Sequence, residues 1–360
     1  AMDLPRELLP YLRIPNAFGL PTWLSRFDFV LDKKGHIRMV EINADTPCFI
    51  VESFYANGVA AAYHGRRDPN AGARAQLRDF LAQLHARLCA PAVDLSRRTI
   101  QDRPFVFSCF DDYPEDLATT LFLMRLMQEG VPHGDIRFLS FYEMEIDERG
   151  IPLADNIYTS ALYRLHPMEI LIDECTSDGE PLGAMFLDLY KEGKFALMNP
   201  PEAILLQNKS FMALVYALAR TEQFLTAEEC ALIRRYLVPS YFEEDFAALM
   251  DGTYIRKEIW GREGKNVRLV EKQGDLAKTV HEKQPDNADE IICRPSRAAM
   301  YQDFVRQPRF VHTVDSGTVE GYLTLSCFML FGTPSAVGAR FSPAEIAGTE
   351  AYFLPLVTGS

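Results

Sequence analysis

The sequence predicts a mixed α/β (α+β) fold, and three observations carry that expectation. A charged hairpin stands near the start, at residues 26 to 43. A strand–helix–strand block occupies roughly residues 100 to 170, and a strand-rich end begins at Tyr254. At 360 residues the chain can build two or three layers around more than one core. Its 48% hydrophobic and 24% charged residues are ordinary for a soluble globular protein. No apolar run approaches the roughly 20 residues that span a bilayer. No charged and apolar leader opens the chain, and Ala1 ahead of Met2 reads as a cloning remnant. A net charge of -13 argues against a general nucleic-acid binder, whose phosphate contacts need a basic face, and permits a cationic substrate. The cysteines at 48, 89, 109, 175, 230, 293 and 327 are scattered and lack CxxC or Cys/His spacing. They read as reduced, mostly buried thiols of a cytoplasmic protein.

RFDFVLDKKGHIRMVEIN, residues 26 to 43, reads as two strands joined at Asp32-Lys33-Lys34-Gly35. Strand side chains alternate between faces. A tight turn centred on Lys34-Gly35 sets Asp28 opposite Glu41 and Arg26 opposite Asn43; a loop two residues longer or shorter keeps all four on one face. Oxygen ligands on adjacent strands suit a hard cation such as magnesium, which keeps phosphate oxygens and water as its other ligands. An arginine beside them suits a transferring phosphoryl group. A solvated sheet face would carry the same residue types without function. Ala44-Asp45-Thr46-Pro47 and the apolar run 48 to 51, leading to Glu52, favour the first reading, because a polar strand that runs straight into buried-looking sequence lines a cleft.

GARAQLRDFLAQLHARL, 72 to 88, has helical spacing of apolar residues. PFVFSC, 104 to 109, reads as a buried strand. EDLATTLFLMRLMQE, 115 to 129, reads as a helix with acidic residues in its first turn and Gly130 past its end. Glu115 and Asp116 at its head complement the helix dipole. A strand near 136 to 141 completes this α/β unit, and residues 171 to 208 read as connecting structure. Thr226 with Glu229 forms a capping-box start for a helix to 237. A second hairpin pairs 254 to 259 with 266 to 271, the polar run 272 to 290 reads as a mobile excursion, and strands follow at 309 to 314, 321 to 331 and 336 to 341.

The second hairpin encloses WGREGK. Glycines at 261 and 264 let backbone amides approach an anion and adopt positive φ, and Lys257 on the preceding strand is within reach of phosphate oxygens. A Gly-x-x-Gly turn is more often a plain hairpin, and this one matches neither the P-loop nor the dinucleotide fingerprint. Lys209, in LLQNKSFMALVY, lies where an apolar segment turns into a helix, a place that a solvated lysine also fills.

Taken together, these blocks resemble the synthetase domain of glutathionylspermidine synthetase and trypanothione synthetase, a branch of the ATP-grasp ligases. The resemblance covers nearly the whole chain. RFDF followed by EINADTP is similar to the family's metal-binding hairpin, NPPEAILLQNKS to the block with the first ATP lysine, and RKEIWGREGKNV to the strand and glycine loop with the second. MYQDF at 300 to 304 resembles the hinge that pairs with adenine, and SAVGARF at 335 to 341 a late block ending in a substrate-contacting arginine.

The resemblance implies an ATP-grasp fold with antiparallel sheets cradling ATP and an inserted α/β subdomain. The implied division is 1–99 with the metal-binding hairpin, 100–170 as substrate subdomain and 171–360 as nucleotide-binding region with a glycine-rich lid. It implies that Asp28, Glu41 and Asn43 ligate magnesium bound to ATP, and that Arg26 stabilises the transferring phosphoryl group. Lys209 and Lys257 would hold phosphates under the amides of Gly261 to Gly264, and Gln302 would flank adenine. Thr46, Arg262 and Arg340 match positions that contact the carboxylate substrate. In the family, ATP phosphorylates the glycine carboxylate of glutathione, and a polyamine amine attacks the acyl phosphate. Small-molecule acid and amine partners are therefore expected, with no nucleic acid and no membrane; Glu115 and Asp116 are candidates for holding the amine, although complementing the helix dipole is the simpler role.

This sequence departs from the pattern at Glu258, where relatives often have proline, and at Cys48, where a small hydroxyl residue is expected. The segment before the hairpin is short, FSPAEIAGTEAYF after Arg340 matches little, and no upstream amidase module is expected. Two other readings stay open: an ATP-grasp ligase joining a different acid and amine, and a nucleotide- or polyamine-binding descendant without turnover.

Overall fold

A computed structural model describes residues 2–89, 92–94, 99–101, 103–283, 293–314, 317–348 and 350–358. The chain opens with β1 (Leu24–Leu31) and β2 (Ile37–Asn43), then a π-helical turn at Glu52–Ala56 that runs into α1 (Asn57–Tyr63) and α2 (Ala73–Leu88). A short pair, β3 (Ala92–Asp94) and β4 (Thr99–Gln101), leads to β5 (Phe105–Ser108), α3 (Pro114–Gly130), β6 (Ile136–Phe138) and β7 (Ala161–Arg164). Next come α4 (Met168–Leu171), α5 (Leu182–Lys191), β8 (Ala196–Met198), α6 (Ala203–Gln207), α7 (Ser210–Thr221) and α8 (Ala227–Tyr236). The remainder is β9 (Ser240–Phe242), β10 (Gly252–Glu258), β11 (Val267–Gln273), β12 (Leu276–Lys283), β13 (Ala299–Asp303), β14 (Phe310–Val314), β15 (Gly317–Leu330), β16 (Thr333–Ser342) and β17 (Tyr352–Phe353).

Local signals account for the helices. In α2 the residues Leu77, Phe80, Leu81, Leu84 and Leu88 fall on one face of the helix and are all buried. α3 begins with Pro114 and carries Glu115 and Asp116 in its first turn, which suits the helix dipole. α8 starts with the reciprocal Thr226–Glu229 capping box.

Three sheets position the site. A six-stranded sheet runs β17-β16-β15-β1-β2 with β14 added to β15, so the N-terminal hairpin is built into strands from the other end of the chain. A five-stranded sheet runs β12-β11-β10-β13-β9, and a parallel sheet runs β6-β5-β7-β8. The main core lies between α2, α3, the parallel sheet and the inner face of the six-stranded sheet, with Trp23, Phe105, Phe107 and Phe328 at its centre. Among the described residues no helix is long and apolar enough to cross a membrane.

Three expectations need correction. Residues 171 to 208 are not merely connecting: β8 lies there and completes the parallel sheet, with α5 packed beneath it through Phe186, Leu187 and Tyr190. The polar run from 272 is not an excursion throughout, because β12 pairs with β11 at the sheet edge. An exposed edge strand needs no apolar alternation; ladder hydrogen bonds suffice. The part of that run beyond residue 283 lies outside the described residues. Burial of the cysteines is also less general than expected, since Cys48 and Cys175 are exposed although all seven are free.

Candidate functional site

β1 lies between β2 and β15, so both flanks of its charged face are fixed by neighbours. Arg26 stands opposite Asn43, and Asp28 opposite Glu41, as the alternation requires. The route to that register is not a simple hairpin. Next to the turn the strands pair one residue out of step, with Phe29 opposite Met39 and Leu31 opposite Ile37. A bulge at Val40 then restores the pairing, re-aiming side chains as bulges do. It also frees the Val40 carbonyl, which accepts a hydrogen bond from Lys257 Nζ at 3.1 Å.

Asp28 is the hub, at 1% exposure. Arg26 binds it with two parallel bonds, Nε to Oδ1 and Nη2 to Oδ2, both 2.9 Å, and its Nη1 donates to the Cys48 carbonyl at 2.8 Å. Ser326 Oγ donates to Oδ1 at 2.7 Å, while Asn43 Nδ2 and Arg340 Nη2 donate to Oδ2 at 3.2 and 2.9 Å. Burial would raise the Asp28 pKa, but the two guanidinium groups outweigh it and hold the carboxyl below its usual range.

Glu41 is served by two lysines from different elements. Lys209, at the N-terminal end of α7, forms a 2.5 Å ion pair with Glu41, and Lys257 approaches from β10 in the five-stranded sheet. Burial pushes Glu41 up and the lysines pull it down, to about 2. Lys257 falls to about 8, because burial disfavours its ammonium and Lys209 repels it, against the attraction of Glu41. The junction of the two sheets thus gathers Arg26, Arg340, Lys209 and Lys257 around Asp28 and Glu41, an excess of two positive charges.

The other predicted residues lie around this junction in different ways. Gln302 on β13 is buried and donates to Ser240 Oγ at 3.0 Å, beside Met212. Ile42, Ala44, Met212, Leu237 and Met300 form an apolar cluster here, between the hairpin and the five-stranded sheet. Thr46 is buried just past the hairpin. In the glycine loop, Ile259 and Trp260 are buried, and Arg262 Nη1 binds Glu169 Oε1 at 3.2 Å. Positive φ falls at Gly264, Glu263 and Asn266 and not at Gly261. A Cβ on Gly264 would stand 2.9 Å from the Ala347 carbonyl, so the loop packs tightly on the segment after β16.

Arg340 reaches Asp28, as noted, and lies over the Phe49 ring at 5.8 Å. Ala336, Gly338 and Ala339 beside it are buried and leave no room for a ligand against the backbone. At Gly338 the space of a side chain is taken by Phe49 and Ser53, whose atoms lie 2.5 and 2.6 Å from where a Cβ would sit.

Several residues that hold the site together escaped sequence reasoning. Asn199 accepts from the Trp23 and Leu24 amides at 2.8 and 3.0 Å, and donates to the Leu24, Ala44 and Asp45 carbonyls at 2.8, 3.0 and 2.9 Å. It ties both strands of the hairpin to the end of β8. Asp45 forms a fully buried, two-bond ion pair with Arg164 at 2.6 and 3.1 Å and also accepts the Met168 amide at 2.8 Å. Their signals are absent from local sequence, because Asp45 and Arg164 are 119 residues apart and Ser326 is 298 from Asp28.

The donor set can be tested against a metal. Oxygens on neighbouring strands fit a hard cation. Positive charge already exceeds negative here, so the residues fit a divalent ion that arrives with an anion better than one held alone. Among the described residues, no group of three or more His, Cys, Asp or Glu is placed to hold a metal.

Comparison with known proteins agrees with this architecture. The fold is similar to that of a glutathione synthetase-like effector from Globodera pallida in its apo form, with a TM-score of 0.54 over 97% of this chain and 78% of that one. At 11% identity this likeness is one of fold. A profile described as glutathionylspermidine synthase, pre-ATP-grasp, matches residues 1–358. With that match spanning the hairpin, both lysines and the glycine loop, the chain belongs to the glutathionylspermidine synthase pre-ATP-grasp family.

Proposed function

We propose that this protein is an ATP-dependent carboxylate–amine ligase that joins an acid and an amine through an acyl phosphate, releasing ADP and phosphate. One observation carries the reading: four cationic side chains surround two carboxylates where two antiparallel sheets meet, and a polyphosphate would balance their excess charge. In this reading Lys209 and Lys257 hold the nucleotide phosphates, the amides of the Gly261 to Gly264 loop cover them, and Gln302 flanks the base. Asp28, Glu41 and Asn43 would hold magnesium, which when bound neutralises charge on the phosphates. Arg26 is oriented by Asp28 and the Cys48 carbonyl, so its guanidinium needs little reorganisation to meet charge developing on the phosphoryl group. Thr46, Arg262 and Arg340 take the acid, with glutathione or a related peptide as acid and a polyamine as amine. Ile259 and Trp260, buried in the core, hold the loop down and keep water from a hydrolysable intermediate.

A second reading, nucleotide binding without turnover, is favoured by the five hydrogen bonds on Asp28, some of which a metal must displace. The two separate on ADP release measured across a panel of acids, with and without polyamines, beside calorimetric titration with magnesium and ATP. Release that needs both acid and amine supports the ligase. Binding without release supports the second reading, and the absence of both contradicts each.

A further inference from the structure

Phe49 has a backbone conformation that bulky residues rarely adopt, with φ at +74°. Strained backbone of this kind persists where the surroundings fix it, and it clusters at ligand clamps. The residue stands directly before the helical stretch that leads into the π-helical turn at Glu52–Ala56, and its ring packs on β16 and β17. Gly338 and Arg340 are two positions apart on β16 and so share a sheet face. The space of a Gly338 side chain holds the edge of the ring, with Phe49 Cε1 and Cδ1 at 2.5 and 3.1 Å from the Cβ position. Phe353, opposite Arg340 on β17, meets the ring edge-to-face at 5.8 Å. The third neighbour is Arg340 itself, whose Cζ lies over the ring at 5.8 Å from its centroid.

Arg340 is held differently from Arg26. Arg26 grips Asp28 with two bonds, whereas Arg340 gives it one, from Nη2 at 2.9 Å. Arg340 Nε is buried with no acceptor, and Nη1 has no hydrogen-bond partner among the described residues. The side chain is nevertheless 27% exposed, so a ligand can reach it. One bond leaves a guanidinium free to turn, and a buried donor without an acceptor is costly. The negative face of the Phe49 ring offsets that cost and fixes the tilt of the cation. An aliphatic side chain would fill the niche over Gly338 but would offer no such face. Resting on the ligase reading, we infer that Phe49 is a positioning residue for the acid: its ring holds the Arg340 guanidinium on a single bond to Asp28, which leaves Nη1 for the acid's carboxylate.

Calorimetry with glutathione as the acid probe compares the wild type with Phe49→Leu, Phe49→Tyr and a variant carrying trifluorophenylalanine at position 49. Leucine keeps apolar bulk without a ring, the fluorinated ring keeps the shape but loses its negative face, and tyrosine keeps both. Phe49→Leu and the fluorinated variant should each bind glutathione about 3-fold or more weakly, the scale of one cation–π contact, while Phe49→Tyr stays near the wild type. Affinity for ATP should not move in any of them. Wild-type affinity in the fluorinated variant overturns the inference, because the ring then only fills space. So does an equal loss of ATP affinity, or a wild type that does not bind glutathione. The fluorinated variant decides even where Phe49→Leu does not fold. Binding does not require turnover, so a ring-dependent affinity without ADP release refutes the ligase reading and leaves the role of Phe49 standing.

Discussion

Replacing Arg164 by methionine tests how the charged hairpin is held against the parallel sheet. Both members of the Arg164–Asp45 pair are shut off from solvent, with side-chain exposures of 0% and 1%. Arg164 supplies two of the hydrogen bonds on Asp45, and the Met168 amide supplies another. Methionine fills much of the apolar stem of arginine but leaves Asp45 charged, buried and held by that amide alone. Breaking a buried pair from one side costs about 3–5 kcal/mol, because the abandoned charge stays out of water. At roughly 2 °C per kcal/mol for a large chain, the melting temperature should fall by about 6–10 °C. Asp45→Leu combined with Arg164→Met removes both charges and should recover most of that loss, since apolar replacement of a whole pair is often neutral. Calorimetric and urea melts of the wild type, both single variants and the double variant give the coupling, expected at about 2 kcal/mol or more. Single variants that lose less than about 1 kcal/mol, or whose losses simply add in the double variant, would refute the reasoning.

Other outcomes follow from the same geometry. Glu41→Gln should abolish ADP release and lower the melting temperature by only a few degrees at neutral pH. Because the folded-state pKa of Glu41 is about 2 against 4.5, its stabilisation is present above about 4.5 and lost as pH falls toward 2. The two melting curves should therefore converge over that range, and a constant gap argues against the ion pairs. Lys257 has a folded-state pKa of about 8, so ATP affinity should be flat near neutrality and weaken as pH rises through 8; Lys257→Met should remove that dependence, and a flat wild-type titration to pH 10 contradicts it. Gly338→Ala places a Cβ 2.5 Å from Phe49 and 2.6 Å from Ser53 and should cost about 1–3 kcal/mol in chemical denaturation; unchanged stability would show that the pocket yields freely.

What the sequence disclosed and what it hid divide along one physical line. Period-two alternation placed Arg26, Asp28, Glu41 and Asn43 on one face, and helical period and caps located α2, α3 and α8, because these signals lie within one element. The bulge at Val40 was not legible, since it shows only in how β2 pairs with β1 and not in the composition of β2. β12 was hidden because an exposed edge strand carries no apolar stripe, and β8 because a three-residue buried strand looks like any apolar run. Asn199, Arg164 and Ser326 are ordinary residues in their local sequence; only the fold brings them to the hairpin. Lys209 looked like a solvated lysine until α7 placed it on Glu41.

The central claim is that the acid is activated as an acyl phosphate, and oxygen-18 in the carboxylate of the acid tests it directly. During turnover with ATP and an amine, attack on the acyl carbon breaks the bond between carbon and bridging oxygen, so one labelled oxygen leaves with the phosphate. Mass spectrometry of the released phosphate should show one oxygen-18 per amide formed. Amide formation with unlabelled phosphate, or phosphate released with no amide at all, would contradict the account.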